Sequence, residues 1–274
     1  MLAIDTAEPI TNRAARALVI VAHPDDETIG AASLLLRRWR CRLIHVTNGA
    51  PRDPRFRPAH AGTRQQYARL RRSELTRALA LAGVEARCAS GLGVPDMEAV
   101  EWLDRIALRL AAEIASSQPD VVVTHDYAGG HPDHDAVACA VAVAGRLLER
   151  RGQPLPAMYE MPLYHGEGGR FHVGEFVSEQ RGAAPIVLTL SETERRRKRA
   201  MLDVFASQQQ TLRPFYALEV ERFRRISPST HDFTRAPHEG PLLYERWGFP
   251  ITGERWRSVA AVAVRRLDTS EAHA

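Results

Sequence analysis

Two short apolar runs constrain this chain more than anything else in it. Residues 17–22 (ALVIVA) and 120–126 (DVVVTHD) are short and β-branched, and they read as buried strands of a parallel sheet. Each leads into a stretch with helical spacing. The first, residues 27–39, carries Ile29, Ala32, Leu36 and Trp39 on one face and ends in Arg37, Arg38 and Arg40; the second covers residues 132–150. Between them the pattern predicts a strand at 42–47, a Pro-, Arg- and Gly-rich loop at 49–63, and a helix at 65–81 closed by Gly83. A weaker strand is expected near 86–89, then a helix from about Asp96 to Ser116 with Asp96 as its N-cap. Strands alternating with helices argue for an α/β fold: a Rossmann-like, doubly wound, mainly parallel sheet flanked by helices.

The second half is less regular. Strand-like pieces occur at 158–164, 174–177 and 186–190, and a basic helix spans 191–209, with Met201, Leu202 and Phe205 inward and the cluster Arg195 to Arg199 toward solvent. Irregular turns then lead to a last helix near 254–266. We expect one domain over residues 1–274, with a core at about 17–210 and an irregular C-terminal extension at about 211–274.

Composition narrows the function. At 274 residues with 45% hydrophobic side chains the chain can bury a large core, so Cys41, Cys88 and Cys139 need not form a disulfide framework, and they are too scattered for a CxxC metal site. The first sixteen residues have no signal pattern, and the apolar runs at 136–144 and 259–264 fall short of the roughly 20 residues of a membrane span, so a soluble cytoplasmic protein is expected. The net charge of +4 comes almost wholly from arginines interleaved with acids, without the aromatic interleaving of a nucleic-acid module, and no nucleic-acid partner is expected. Lys198 is the single lysine, so there is no GxxxxGK[ST] loop, and Schiff-base chemistry has one candidate in a charged helical run. No GxGxxG comes after a strand, which argues against nucleotide cofactors.

The chemistry sits at the strand ends. His23-Pro24-Asp25-Asp26-Glu27 comes directly after the first strand and His131-Pro132-Asp133-His134 after the strongest one. In wound sheets ligands bind outside the carboxyl ends of the strands, so the two loops can converge. Two imidazoles and one carboxylate are a catalytic zinc set with a place left for water. The spacing offers His23 with either Asp25 or Asp26, and one or both of His131 and His134. Structural roles compete: Asp before a helix caps it, Pro132 suits the first helical turn and leaves His131 near the cap, and Glu27 complements the helix dipole.

The pair AHPDDE and HPDH resembles the LmbE-like (PIG-L) de-N-acetylase superfamily, zinc hydrolases that remove acetyl groups from N-acetylglucosamine compounds or cleave related amides. Weaker matches are Thr47-Asn48-Gly49, Arg71 with Glu74, Leu92-Gly93-Val94-Pro95-Asp96, and the stretch from Lys198-Arg199 to Ser207-Gln208. The resemblance implies one zinc ion per chain, with Fe²⁺ able to use the same set, held by His23, Asp26 and His134. It implies Asp25 as general base and His131 as the group polarising the carbonyl, oriented by Asp133. Asp96 becomes the substrate-loop aspartate, Arg71 a substrate contact or half of a helix ion pair with Glu74, and Arg52 part of a lid over the sugar or of a solvated loop.

One departure stands out. Relatives in thiol-sugar biosynthesis are expected to have a tyrosine two residues before the first histidine of the second motif; that place is Gly129, and the nearest candidate for an oxyanion or gating role is Tyr127. The expected function is therefore hydrolysis of the N-acetyl group of an amino sugar or its conjugate. A non-sugar or thiol-conjugate amide at the same site and a non-catalytic binding module are the competing readings. A small amino-sugar partner is expected, and the oligomeric state is left open.

Overall fold

In a computed structural model of the chain, residues 8–37, 40–58, 61–178 and 183–270 are described. Trp39 and Arg38, expected on the first helix, lie outside these residues, as does the start of the chain before residue 8.

The order of elements is β1 (Arg16–Val21), α1 (Asp26–Gly30), α2 (Ala32–Leu36), β2 (Arg40–Thr47), α3 (Arg64–Ala82), β3 (Ala89–Val94), α4 (Leu103–Ser117), β4 (Val121–His125) and α5 (Pro132–Arg150). Next come β5 (Ala157–Met161), β6 (Tyr164–His165), β7 (His172–Val173), β8 (Ile186–Thr189), α6 (Glu192–Val204), α7 (Gln209–Leu212), β9 (Val220–Ile226), α8 (Leu243–Arg246) and α9 (Gly253–Ser270). Seven strands form one sheet in the order β3-β2-β1-β4-β5-β9-β8, the first five parallel and the last two antiparallel to their neighbours. The alternation of β1 divides the core. Leu18 and Ile20 pack with α4, α5 and Trp256 of α9, whereas Ala17, Val19 and Val21 pack with Leu75 and Leu79 of α3 and Met201 and Leu202 of α6.

Helix ends obey local chemistry. Thr63 and Gln66 form a capping box at the start of α3, and Gly83 closes it at φ 75°. Ser191 and Glu194 do the same for α6.

Several sequence expectations shift. The helix expected at 27–39 is two short helices, because Lys198 Nζ donates to the Ile29 carbonyl at 2.6 Å while the Ser33 amide donates to Glu221 Oε2 at 2.9 Å, taking up both halves of one helical hydrogen bond. Lys198 is therefore no part of a solvent face: it is 2% exposed and paired with Glu221 Oε1 at 2.7 Å. Asp96 caps no helix, since a 3₁₀ turn at Ala99–Trp102 precedes α4. Residues 86–88 form a 3₁₀ turn and the strand begins at Ala89. From the stretch expected to be irregular turns comes β9, seated between β5 and β8.

Candidate active site

The strand order reverses direction between β1 and β4, and this crevice receives both motifs. The turn after β1 carries His23, Asp25 and Asp26. Asp25 sits at φ 137°, a conformation costly for a non-glycine residue, held by bonds at both ends: its amide donates to Glu27 Oε2 at 3.0 Å and its carbonyl accepts from the Thr28 and Ile29 amides. Glu27 thus does more than complement a dipole; fully buried, it braces this turn and also meets His45 Nε2 at 3.0 Å. His131 is the N-cap of α5, its Nδ1 accepting from the Asp133 amide at 3.1 Å, with Pro132 at the first helical position. That bond leaves the ring proton on Nε2.

Ligand-type atoms gather in three trios, each within 4.8 Å: His23 with His131 and His134, Asp26 with His125 and His134, and His23 with Asp96 and Asp133. Across them, His134 Nε2 is 3.3 Å from His23 Nδ1 and 3.3 Å from Asp26 Oδ1, and His23 Nδ1 is 3.4 Å from Asp26 Oδ2. A tetrahedral ion with bonds of about 2.0–2.1 Å requires its ligand atoms roughly 3.3–3.4 Å apart; His134 Nε2 has that spacing to His23 Nδ1 and to Asp26 Oδ1, while His23 Nδ1 has it to the other Asp26 oxygen, Oδ2. The remaining atoms are committed elsewhere. His125 Nε2 accepts from the Ala22 amide at 2.9 Å, with its ring stacked 4.2 Å from that of His134. The other side of His23, Nε2, faces Asp96 Oδ1 at 3.0 Å and Asp133 Oδ2 at 3.2 Å, which fixes its proton there and leaves Nδ1 free to ligate.

The electrostatics reflect this crowding. Burial raises Asp25 to about 8, with Asp26 and Glu27 adding to the rise and Arg71 opposing it. Asp26 is also buried, yet His134, His23 and His125 hold its carboxyl well below the usual range. Burial and the nearby His23 push His131 down to about 3, and burial brings His134 to about 4, so both rings are neutral at physiological pH. Burial works against charge on His23, but Asp96, Asp26 and Asp133 together carry it well above 6.5.

Of the other expected site residues, Asp96 and Arg71 line the same cavity of about 510 Å³ as His23, Asp25, His131 and His134. Arg71 is not an ion-pair partner of Glu74. Its guanidinium goes to Asp25 Oδ2, the Pro24 carbonyl and the Gly49 carbonyl, while Glu74 accepts from the amide and hydroxyl of Ser207. Asp133 does not orient His131 through its carboxylate, whose oxygens are held by the Met97 and Ala99 amides and by His23. Arg52 does not reach the cavity: 63% exposed along its side chain, it pairs with Glu98 and lines a neighbouring cleft. Tyr127 is buried behind the site, its hydroxyl on the Arg235 carbonyl and its ring stacked on Trp256. A tyrosine at Gly129 would be strained: φ is +68° there, and an added Cβ would lie 2.7 Å from the Leu242 side-chain methyl Cδ2, which would have to shift. Sequence reasoning misses His125, which reads as an ordinary strand residue, and the cavity-lining Tyr164, Trp247 and Phe249.

A mainly parallel α/β sheet with a buried His/Asp cluster at its switch point defines an α/β protein with a candidate metal site. Comparison with known proteins is consistent with that class. The family model described as PIG-L: GlcNAc-PI de-N-acetylase matches residues 18–144. Two curated relatives are described as 1D-myo-inositol 2-acetamido-2-deoxy-alpha-D-glucopyranoside deacetylase. The one from Tsukamurella paurometabola is 31% identical over 60% of this chain and 66% of its own length, and the one from Thermobifida fusca 32% identical over 43% and 50%. The chain thus spans somewhat less than two thirds of the first relative and half of the second. Among solved structures, an A40926 pseudoaglycone deacetylase superposes with a TM-score of 0.60 at 22% identity, covering 78% of this chain and 97% of the other. N,N'-diacetylchitobiose deacetylase from Pyrococcus horikoshii gives 0.58 at 16% identity, covering 82% and 88%. Residues 18–144 thus carry the pattern of the PIG-L, LmbE-like, de-N-acetylase family.

Proposed function

We propose that the chain is a metal-dependent N-deacetylase that hydrolyses the acetamide of an N-acetylglucosamine-type sugar or conjugate, with Zn²⁺ as its ion held by His23, Asp26 and His134. The observation that carries this reading is the 3.3–3.4 Å spacing of those three side chains at one wall of a cavity that also holds Asp25 and His131. The amino-sugar class is that of the curated relatives' names.

When bound, the ion supplies Lewis acidity, making water acidic near neutral pH and polarising the amide carbonyl. Asp25, with Oδ2 anchored by Arg71, accepts the proton of the attacking water on its other oxygen once it is ionised, the form that Arg71 favours and that a cation held beside it would favour further. Neutral His131 donates from Nε2 to the carbonyl oxygen as negative charge builds, a contribution of about 3 to 4 kcal/mol for a well-placed donor. His131 cannot readily give up that proton, because Nδ1 is already occupied by the Asp133 amide. The proton taken by Asp25 therefore goes to the leaving nitrogen. The C–N bond breaks, the water oxygen joins the acetyl carbon, and acetate and a free amine result.

The test is acetate and amine release from free N-acetylglucosamine, its glycosides and its conjugates, with the Asp25→Ala protein as blank. Release confined to the wild type is expected. No release from any compound by zinc-loaded protein overturns the reading.

A further inference from the structure

We propose that the substrate carries an uncharged, apolar aglycone, seated on an aromatic wall that runs from His131 out to solvent; this rests on the N-deacetylase reading above. Phe249 packs edge-on against His131 at 5.1 Å, Trp247 lies 6.2 Å from Phe249, and Phe171 lies 6.0 Å from Trp247. Phe56 meets Phe249 at 5.4 Å. All four line the cavity, and Trp247 and Phe171 are each 45% exposed, among the few large apolar side chains left uncovered in the described residues. Leu212, Pro214 and Phe215 line the same cavity.

Charge excludes the main competitor. Arg71 is the one lysine or arginine lining the cavity among the described residues, and its Nη2 is committed to Asp25 and the Pro24 carbonyl. Arg52 pairs with Glu98 in the neighbouring cleft and Arg55 with Asp53. On the cavity lining, among the described residues, a nucleotide or phosphorylated sugar would find no lysine or arginine other than Arg71 to pair with its phosphates. Away from the reaction centre the polar lining is limited to Gln208, Gln210 and Thr211, a small set for fixing the hydroxyls of a second sugar. A flat or branched apolar group, in contrast, gains by covering exposed rings. Phe171, Trp247 and Phe249 lie beyond residues 18–144, so three of the four rings of the wall come from outside the matched family region, and Phe56 from within it.

The experiment compares kcat/KM for acetate release from free N-acetylglucosamine, its phenyl α- and β-glycosides, N,N'-diacetylchitobiose and UDP-N-acetylglucosamine, in the wild type, Trp247→Ala and Trp247→Phe. A phenyl glycoside is expected to exceed the free sugar at least roughly 30-fold. That ratio should fall at least about 5-fold in Trp247→Ala and largely return in Trp247→Phe. Equal turnover of free and phenyl sugars, a preference for the disaccharide or the nucleotide sugar, or a ratio unmoved by Trp247→Ala overturns the aglycone assignment while leaving N-deacetylation standing. No acetate from any compound overturns both.

Discussion

Arg71 reaches from α3 to place Nη2 3.0 Å from Asp25 Oδ2 and 2.6 Å from the Pro24 carbonyl, with both side chains buried. The arginine thereby spans the strained turn and fixes one oxygen of the proposed base. A lysine donates from one nitrogen and lacks the planar fork by which Arg71 holds the Gly49 carbonyl through Nη1 as well as Asp25 and the Pro24 carbonyl through Nη2. Arg71→Lys should lower kcat at least about 10-fold, with acetate release as the readout, and Arg71→Ala should cost about 3 kcal/mol of stability in a denaturant titration because Asp25 is left without its cation.

Asp25→Asn keeps the shape of the carboxylate and removes its basicity. Turnover should fall at least about 100-fold, while zinc content measured by elemental analysis stays near that of the wild type, because Asp25 lies outside the proposed trio. Unchanged turnover would remove Asp25 as the base.

Asp133 faces Nε2 of His23, on the side away from the proposed ion. Asp133→Asn should weaken zinc binding about 10- to 100-fold in a competition with a chelator. It also disturbs two backbone amides, so the thermal midpoint should be read alongside; a normal zinc affinity would show that Asp96 alone orients the ring.

Glu194 gives an acid-stability prediction away from the site. The Arg37 hydrogen bond, aided by the Ser191 cap and opposed by partial burial, holds its carboxyl down at about 2, against 4.5 for an ordinary glutamate. The folded state therefore keeps the charge after the unfolded state has lost it. The stabilisation is complete above about pH 4.5 and drains away as pH falls toward 2. Glu194→Gln should be less stable by about 1 kcal/mol at pH 7, a modest figure because the pair is partly solvated, and the gap should close with acidification.

The motifs are legible because they occupy strand ends, where strong β-branched runs fix the position of the adjoining turn; His23, Asp26, His131 and His134 fall together for that reason. Other features depend on pairings distant in the chain. In β9, Glu221 and Arg224 are buried beside Phe223 and are neutralised by Lys198 and Glu160, so a real strand carries the pattern of a charged loop. Lys198 reads as solvent-bound for the same reason. Asp96 resembles a cap because helix-like residues come after it, but His23 claims its carboxylate. Arg52 and Tyr127 are near the site in sequence, and such proximity does not report where Glu98 or Trp256 draws a side chain.

The Lys198 and Glu221 insertion between Ile29 and Ser33 has a consequence for the order in which the protein can be assembled. All three proposed ligands have been synthesised by residue 134, yet Ser33 finds its acceptor 188 residues further along, on β9. A nascent chain that has emerged only as far as α6 holds both motifs and a buried-lysine position with no counterion. Maturation of the ion site is thus tied to the last strand of the sheet, and fragments ending before Glu221 should bind zinc poorly however intact their motifs.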